Sequence, residues 1–297
     1  MLNLSTLVSG RKVMISDGAW GTRLQGKGLP SGQSPEIWNL EKPELVTEVA
    51  AEYIAAGAQL VKTNSFGGNR FKLAACGLDQ RVAEINETAA ACSRKAAGES
   101  VLVMGSIGPS GKMLIMQDVS EDELFNAFFE QAAALTRGGA DLILVETMTD
   151  LDEARIAVSA ARAASGLEIA CTMTFEKTVS GDYRSMMGVS PSEMCEVIIT
   201  AGAQFVGSNC GNGIEQMIPI ATEIRAAAPD TPIIIHANAG MPVLVDGETT
   251  FPESPEEMAR HLPALVEAGA SVIGGCCGTS PAHIGQMRAA LSAEQSG

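Results

Sequence analysis

The chain has 297 residues, of which 46% are hydrophobic and 4% aromatic, and its formal net charge is −15 at pH 7. This acidity argues against nucleic acid and anionic membranes as partners, because both require a basic surface. Apolar runs are too short for a membrane span, which needs about 18 uninterrupted apolar residues, and no early run has the flanks of a secretory signal. Seven cysteines without the spacing of a disulfide framework favour a reducing, cytoplasmic location.

Short apolar runs rich in β-branched residues recur along the chain, with helix-like segments between them. The eight predicted strands are Val13–Ser16, Leu60–Thr63, Val101–Gly105, Leu142–Glu146, Ile169–Thr174, Phe205–Ser208, Ile233–His236 and Val272–Gly274. Strands that alternate with helices form a parallel sheet, and eight such units close a barrel of about 250 residues. The sequence therefore predicts an α/β fold, a (β/α)8 TIM barrel that forms a single domain over residues 1–297.

Three connecting helices have clear boundary signals: Pro43–Ala56, Ser120–Arg137 and Ser254–Ala268. The first begins with a proline and the third with a serine cap, a proline and two glutamates. Gly-Ala precedes four strands, as in AAGAQLV and TAGAQFV, because glycine ends a helix in a left-handed conformation. The segments Gln25–Ser34 and Ala239–Pro252 are predicted to be long loops.

Polar residues follow the predicted strands at their carboxyl ends, where this fold places substrate. They are Asp17, Gly18, Thr63, Asn64, Ser65, Glu146, Thr147, Asn209, Cys210, His236, Asn238, Cys276 and Cys277. Because the carboxyl ends of parallel strands lie on one face, we expect these residues to surround one site. At the end of its strand, His236 is equally compatible with two roles. It can form a hydrogen bond to a residue that lines the site, or it can act as a ligand itself.

Three cysteines stand out because each follows an apolar run and is flanked by glycine: Cys210 in GSNCGNG, and Cys276 and Cys277 in GGCCGT. Zinc prefers four tetrahedral ligands, and sulfur is a good one. Neighbouring residues on a regular strand point to opposite faces, so Cys276 and Cys277 share a metal only if the strand has already ended. The flanking glycines permit that break. We predict a Zn²⁺ site with three protein sulfurs and one position free for another thiol.

The remaining cysteines lie in helical or mid-strand contexts without glycine. We interpret Cys76, Cys92, Cys171 and Cys195 as small buried hydrophobic residues. A redox dithiol at Cys276 and Cys277 is an alternative to metal binding, although adjacent cysteines form a disulfide only with strain.

Five motifs together resemble the homocysteine S-methyltransferase family over about residues 11 to 290: DGAWGT, TNSF, VETM, GSNCG and GGCCGT. The family includes betaine– and S-methylmethionine–homocysteine methyltransferases and the first module of cobalamin-dependent methionine synthase. The resemblance implies that Cys210, Cys276 and Cys277 hold a catalytic Zn²⁺. Coordination to zinc deprotonates a thiol, and only the thiolate attacks well near pH 7. The implied reaction is an in-line transfer of a methyl group to the sulfur of homocysteine, which gives methionine.

The same resemblance assigns roles to residues at other strand ends. It implies that Asp17 and Glu146 bind the amino group of homocysteine and that the Gly18 backbone and Thr63 approach its carboxylate. An ammonium needs acidic partners in a desolvated pocket, and a carboxylate needs backbone or hydroxyl donors. We also place Asn209, which precedes Cys210, among the substrate-binding residues.

Two classes of methyl donor are compatible with the sequence. Onium donors, namely S-methylmethionine, betaine or dimethylsulfoniopropionate, call for aromatic rings around a cationic methyl group. Candidates for this pocket are Trp20, Phe66, Trp38 and Phe175, each of which is alternatively a packing residue, and Asn238 helps to shape the pocket. The stretches TNSFGGNRFKL and GSIGPSGKML look closer to the methionine synthase module. That likeness implies a methylcorrinoid or methyltetrahydrofolate system, for which we expect a separate corrinoid protein, since one barrel occupies the chain.

Further interpretations remain open. Four methionines in strand-end loops, Met113, Met116, Met186 and Met187, provide an adaptable rim for a donor or partner, or ordinary loop packing. A non-catalytic zinc-binding or corrinoid-docking subunit is the main alternative function, although zinc binding alone would not require the acidic residues. An aldolase-like barrel lacks support, because neither Lys62 nor Lys177 has a convincing Schiff-base setting. The oligomeric state is left open.

Overall fold

A computed structural model describes residues 3–245 and 248–294. Its main sheet has eight strands. These are β1 (Met14–Ile15), β2 (Leu60–Lys62), β3 (Leu102–Ile107), β4 (Leu142–Met148), β5 (Glu168–Met173), β6 (Phe205–Gly213), β7 (Ile233–Asn238) and β8 (Ala270–Gly275). All neighbours pair in parallel in the order β1-β8-β7-β6-β5-β4-β3-β2. A parallel bridge between Ser16 and Leu60 joins β1 to β2 and closes the ring, so the predicted (β/α)8 TIM barrel is confirmed.

Helices lie between the strands and cover the outside of the barrel. The α-helices span Leu4–Val8, Gly21–Gly26, Trp38–Glu41, Pro43–Ala55, Arg70–Ala74, Val82–Ala97, Glu121–Arg137, Leu151–Ala164, Pro191–Ala201, Ile214–Ala227, Pro255–Arg260, Leu262–Glu267 and Pro281–Glu294. Within the described part of the chain, none of these helices is long and apolar enough to cross a membrane.

Glycine ends the helices at the four repeated Gly-Ala sites, as predicted. Gly57, Gly139, Gly202 and Gly269 have φ values of 103°, 102°, 114° and 102°. This left-handed region is open to glycine without steric cost. The chain can therefore turn from each helix directly into the next strand.

Two predicted segments differ in detail. The predicted helix Ser254–Ala268 is two helices, Pro255–Arg260 and Leu262–Glu267. Pro263 has no amide hydrogen to continue the hydrogen-bond ladder of the first helix, so the helix breaks at His261. The predicted loop after β7 contains a short hairpin between strands Val243–Val245 and Glu248–Thr250. Its residues 246 and 247 lie outside the described residues.

Side chains alternate along each strand between the helices and the barrel interior. On β4, Ile143 and Val145 pack in the main cluster with the helices, whereas Leu142 and Leu144 belong to a second cluster inside the barrel. The buried members of that interior cluster are Leu4, Val8, Met14, Leu60, Leu102, Met104, Leu142, Leu144, Ala170, Phe205, Ile234 and Val272. The barrel is therefore filled with apolar side chains at this level.

Candidate active site

The inward positions change from apolar to polar toward the carboxyl ends of the strands. Two residues beyond Leu144, for example, the inward side chain is Glu146. The polar layer consists of Ser16, Lys62, Ser106, Glu146, Thr172, Asn209 and His236, none more than 6% exposed. Burying polar groups is unfavourable unless they are hydrogen-bonded or paired. This layer therefore needs internal partners or a ligand.

Three cysteine sulfurs converge above this layer. The sulfur atoms of Cys210, Cys276 and Cys277 all lie within 4.8 Å of one another, and those of Cys210 and Cys277 are 3.9 Å apart. Cys210 comes from β6 and the adjacent pair follows β8, with β7 between these two strands. The structure thus brings together the three cysteines that the sequence singled out.

The end of β8 explains how adjacent cysteines reach one place. The strand ends at Gly275, so Cys276 and Cys277 lie beyond regular pairing, as predicted. A side chain at Gly275 would stand 2.1 Å from the Thr279 hydroxyl, and Gly278 has a φ of 80°. Glycine is required at both positions, at the first for space and at the second for backbone conformation.

Cys210 is positioned by a feature that the sequence did not predict. Its φ is 60°, in the left-handed region that costs a non-glycine residue about 1–2 kcal/mol. The pairing of β6 with β7 shifts register between Asn209 and Gly213, and Gly211 is also left-handed at 71°. This irregularity at the end of β6 directs the Cys210 sulfur to the Cys276–Cys277 pair.

Asn209 connects the cysteine cluster to β4 and β5. Its Oδ1 accepts hydrogen bonds from the Thr147 amide and the Thr172 hydroxyl, both at 2.7 Å. Its amide nitrogen donates to Thr147 Oγ1 at 2.7 Å and lies 3.8 Å from the sulfur of Cys276. Asn209, predicted as a substrate-binding residue, thus has its polar atoms engaged with neighbouring strands and one cysteine.

The three thiols share their protons unequally. Hydrogen bonds from Cys276 and Cys277 lower the pKa of Cys210, while the contacts with Cys210 and, to a smaller extent, burial and the negative charge of Cys210 raise the pKa of the other two thiols. A cluster of thiols without a cation can therefore ionise only in part, because each further thiolate repels the first. A bound cation would relieve that repulsion.

The cluster fits a tetrahedral zinc ion. With Zn–S bonds of about 2.3 Å, two sulfurs of a tetrahedral site are separated by about 3.8 Å. The 3.9 Å between Cys210 and Cys277 agrees with this spacing. Within the described residues, the group of potential ligands consists of these three cysteines, each partly exposed. Such a donor set leaves a tetrahedral ion one further position.

Asp17 lies fully buried beside this centre and already has several partners. Its Oδ2 accepts hydrogen bonds from the Trp20 indole nitrogen and the Lys62 backbone amide, both at 2.7 Å. Its Oδ1 contacts the Ser16 hydroxyl at 3.3 Å and the Lys62 ammonium at 3.5 Å. These contacts use most of its acceptor capacity.

Glu146 has more acceptor capacity available. The Ser106 hydroxyl donates to its Oε1, and the residue is 5% exposed. Burial raises the pKa of Glu146, and the attraction of Lys62 opposes that change only in part. Its second oxygen therefore has acceptor capacity that the Ser106 contact does not use.

Gly18 and Thr63 occupy constrained positions. A side chain at Gly18 would lie 2.6 Å from Thr279 Oγ1, so only glycine fits. The Thr63 hydroxyl accepts from the Ser106 amide at 3.0 Å and contacts Ser65 Oγ at 2.5 Å. The Thr63 side chain therefore helps to hold β2 against β3.

The aromatic candidates for a donor pocket separate into two groups. Trp38 and Phe175 are 1% and 0% exposed in the hydrophobic core, so they serve packing and do not line a donor pocket. Phe66 is 43% exposed, and Trp20 is partly buried with its indole nitrogen bound to Asp17. Asn238 is 3% exposed, and its amide contributes to lowering the pKa of Cys210.

Exposed apolar side chains occur in the loops that follow the barrel strands. The large ones are Phe66, Met113, Ile115, Met116, Val179, Met186, Met187, Met241, Val243 and Leu244. Exposed apolar side chains of this kind form sites of interaction where they are contiguous.

Two further findings concern the four other cysteines and Lys62. Cys92, Cys171 and Cys195 are buried as predicted, but Cys76 is exposed near the end of a short helix, so that interpretation is wrong. Lys62 was considered only for Schiff-base chemistry, yet it lies inside the site. Its spacing of two residues from the inward Leu60 was the signal that could have placed it there.

Comparisons with known proteins agree on one family. Residues 14–291 match the family model described as homocysteine S-methyltransferase. Methionine synthases of Mycobacterium tuberculosis and Mycobacterium leprae are 31% and 30% identical over 96% and 95% of this chain. The chain spans about a quarter of the length of these relatives, 25% and 24% respectively.

Solved structures show the same fold. The metallated form of the homocysteine methyltransferase MmuM from Escherichia coli has a TM-score of 0.79 and 24% identity, covering 96% of this chain and 99% of its own. Its oxidised form has a TM-score of 0.79 and 25% identity, covering 96% and 98%.

Proposed function

Because the chain belongs to the homocysteine S-methyltransferase family, we propose that it transfers a methyl group from an activated donor to the thiol of L-homocysteine, forming methionine. The observation that supports this most strongly is the cluster of Cys210, Cys276 and Cys277 within 4.8 Å at the barrel mouth. A Zn²⁺ ion held by these residues would lower the pKa of the acceptor thiol, so that its thiolate is available at neutral pH.

The buried acids below the cluster account for recognition of the acceptor. Glu146 accepts the α-ammonium of homocysteine in a desolvated position, where a charge-assisted hydrogen bond is strong. Asp17 adds negative potential and is held in place by Trp20. The acceptor sulfur then attacks the methyl carbon, a new carbon–sulfur bond forms, and the donor group leaves with the electron pair of the broken bond.

We further propose that the donor is a methylcorrinoid presented by another protein or domain. An onium donor requires several aromatic faces around its cationic methyl group, but Trp38 and Phe175 are buried, which leaves Phe66 and the partly buried Trp20 of the four candidates. The exposed methionines at the mouth, including Met113 and Met186, instead suit a large adaptable contact. The likeness to methionine synthases is compatible with this donor class.

A donor panel tests the proposal. Zinc-loaded protein is incubated with homocysteine and, separately, methylcobalamin, methyltetrahydrofolate, S-methylmethionine, betaine or dimethylsulfoniopropionate, and methionine is quantified. We expect methylcobalamin to be the best donor in this panel. Faster turnover with S-methylmethionine or another onium compound would assign the donor to that class instead.

Two controls separate the enzyme from the alternative of a non-catalytic zinc-binding or corrinoid-docking subunit. Metal-free protein and the Cys277→Ser variant should produce no methionine, and normal transfer by either would contradict the role of zinc. Glu146→Ala should lose activity while its zinc content stays unchanged. Wild-type protein that binds zinc but methylates no thiol with any donor would favour the non-catalytic subunit.

A further inference from the structure

Lys62 is a buried ammonium group to which the proposed reaction assigns no task. Its side chain extends from the inner face of β2 and is 7% exposed. Its Nζ lies 3.5 Å from Asp17 Oδ1 and 3.4 Å from the carbonyl oxygen of Gly275. Charge-assisted hydrogen bonds are usually about 2.7–2.9 Å long, and an ammonium has three donors. Both contacts are long, so Lys62 retains the capacity to bind a ligand.

A purely structural role as the counter-ion of Asp17 does not explain this arrangement. Asp17 Oδ2 already accepts two hydrogen bonds of 2.7 Å, from Trp20 and from the Lys62 backbone. The ammonium approaches only the other oxygen, and not closely. Burial disfavours its charge, but Asp17 and Glu146 together raise the pKa of Lys62, so it remains an ammonium at neutral pH.

Another buried polar group, His236, faces the same interior. His236 is fully buried on β7, and neither of its ring nitrogens has a hydrogen-bond partner among the described residues. Burial and the nearby charge of Lys62 lower the pKa of His236, so the ring is neutral and keeps one N–H donor. A buried polar group without a partner is unfavourable unless a ligand satisfies it.

We propose that Lys62, with His236 beside it, binds the α-carboxylate of the acceptor while Glu146 binds its α-ammonium, so that the pocket selects zwitterionic amino-acid thiols. This inference rests on the proposed function for its acceptor. One cation between two carboxylates is the charge arrangement complementary to a zwitterion. Lys62 thereby adds a charged contact to those expected from the Gly18 backbone and Thr63, whose hydroxyl already holds β2 against β3.

Binding of the product and of a truncated analogue tests the inference without turnover. L-methionine and 3-(methylthio)propylamine, which lacks only the carboxylate, are titrated calorimetrically into zinc-loaded wild-type protein and Lys62→Met. Loss of one charge-assisted contact should weaken methionine binding about 10- to 100-fold without weakening that of the amine, because the lost ammonium only repelled the amine's own charge. His236→Phe, which cannot donate, should weaken methionine binding about 5-fold, with binding of the amine again not weakened.

Lys62→Gln provides a second variant if Lys62→Met does not fold, because glutamine keeps a neutral donor near Asp17. It should fold and still bind methionine more weakly than the wild type. Equal weakening of both ligands, or unchanged methionine binding in folded variants, would overturn the assignment to the carboxylate. Zinc content is measured in every variant.

Measurements of methyl transfer distinguish a failure of the proposed function from a failure of this inference about Lys62. If wild-type protein transfers no methyl group to homocysteine, the proposed function fails, yet the methionine and amine titrations still decide the role of Lys62. If transfer occurs, Lys62→Met should raise KM for homocysteine with little change in kcat. A counter-ion that only supports the fold would instead lower Tm and weaken both ligands together.

Discussion

Leu144 and Glu146 lie two positions apart on β4, point into the same barrel and are almost equally buried, at 0% and 5% exposure. Leu144 packs in the interior apolar cluster, whereas Glu146 belongs to the polar layer above it. Burial of the leucine stabilises the fold, but burial of the carboxylate opposes ionisation. The same strand geometry therefore supplies stability at one level and binding capacity at the next.

This contrast predicts that substitutions at the carboxyl ends of the strands impair function more than folding. The largest expected effect is that of Cys276→Ser, which removes one of the three sulfurs. Zinc content and methyl transfer should both be lost, because the remaining cysteines supply only two sulfur ligands. Elemental analysis and a methionine assay measure the two effects.

Cys76→Ser is the matched control for that substitution. Cys76 is exposed and lies outside the cluster, so its removal should leave zinc content and activity unchanged. Retention of full zinc and activity in Cys276→Ser would show that Cys276 is no more important to the site than Cys76.

Leu144→Ala tests the contribution of the apolar interior cluster to stability. Truncation of a fully buried leucine leaves a cavity and should lower the free energy of unfolding by about 2–5 kcal/mol. Homocysteine KM and zinc content should stay near the wild-type values in the folded variant. Denaturant unfolding and steady-state kinetics provide the measurements. A large rise in KM with little loss of stability would contradict the idea that the apolar cluster stabilises the fold and the polar layer binds substrate.

Glu146→Gln should show the opposite pattern. It removes a charged partner of the acceptor ammonium, so KM for homocysteine should rise about 10- to 100-fold. Burial raises the pKa of Glu146 above its ordinary value of 4.5, so the folded protein retains a proton that the unfolded chain releases. The contribution of Glu146 to stability is therefore present at low pH and declines as pH rises from about 4.5 to the raised pKa.

Glutamine does not titrate, so Tm of Glu146→Gln relative to wild type should rise across that pH range and then become constant. Glu84 is an exposed control of opposite sign, because its hydrogen bond with Arg81 lowers the pKa of Glu84. Tm of Glu84→Gln relative to wild type should fall slightly as pH rises through the acidic range. The same pH trend in both variants would show that burial is not the cause of the Glu146 effect.

Much of the fold could be predicted from local patterns. Each predicted strand overlaps an observed one, because apolar β-branched runs and helix-ending glycines are signals that neighbouring residues carry themselves. The break at His261 was missed, because the serine cap and the helical pattern dominated over a single internal proline. Cys76 was misjudged because burial depends on what packs against a residue, and only the structure decided that Trp38 and Phe175 pack in the core.

The candidate site was predictable as a set of residues but less so as an arrangement. Glycine on both sides of the cysteines indicated where strands end, and the structure brings the three sulfurs together there. The left-handed Cys210 and the hydrogen bonds of Asn209 were not predictable, because both depend on how β6 shifts register against β7 and reaches Thr147 on β4.

The sequence by itself determined an eight-stranded barrel, its glycine turns and the three cysteines at the ends of two strands, since these follow from periodicity and residue type over short stretches. Only the tertiary structure decided that Lys62 and His236 face the same interior as Glu146, and that Asp17 already has partners. The physical reason is that closing the ring sets side chains from distant strands opposite one another, and their charges and hydrogen bonds then depend on those neighbours.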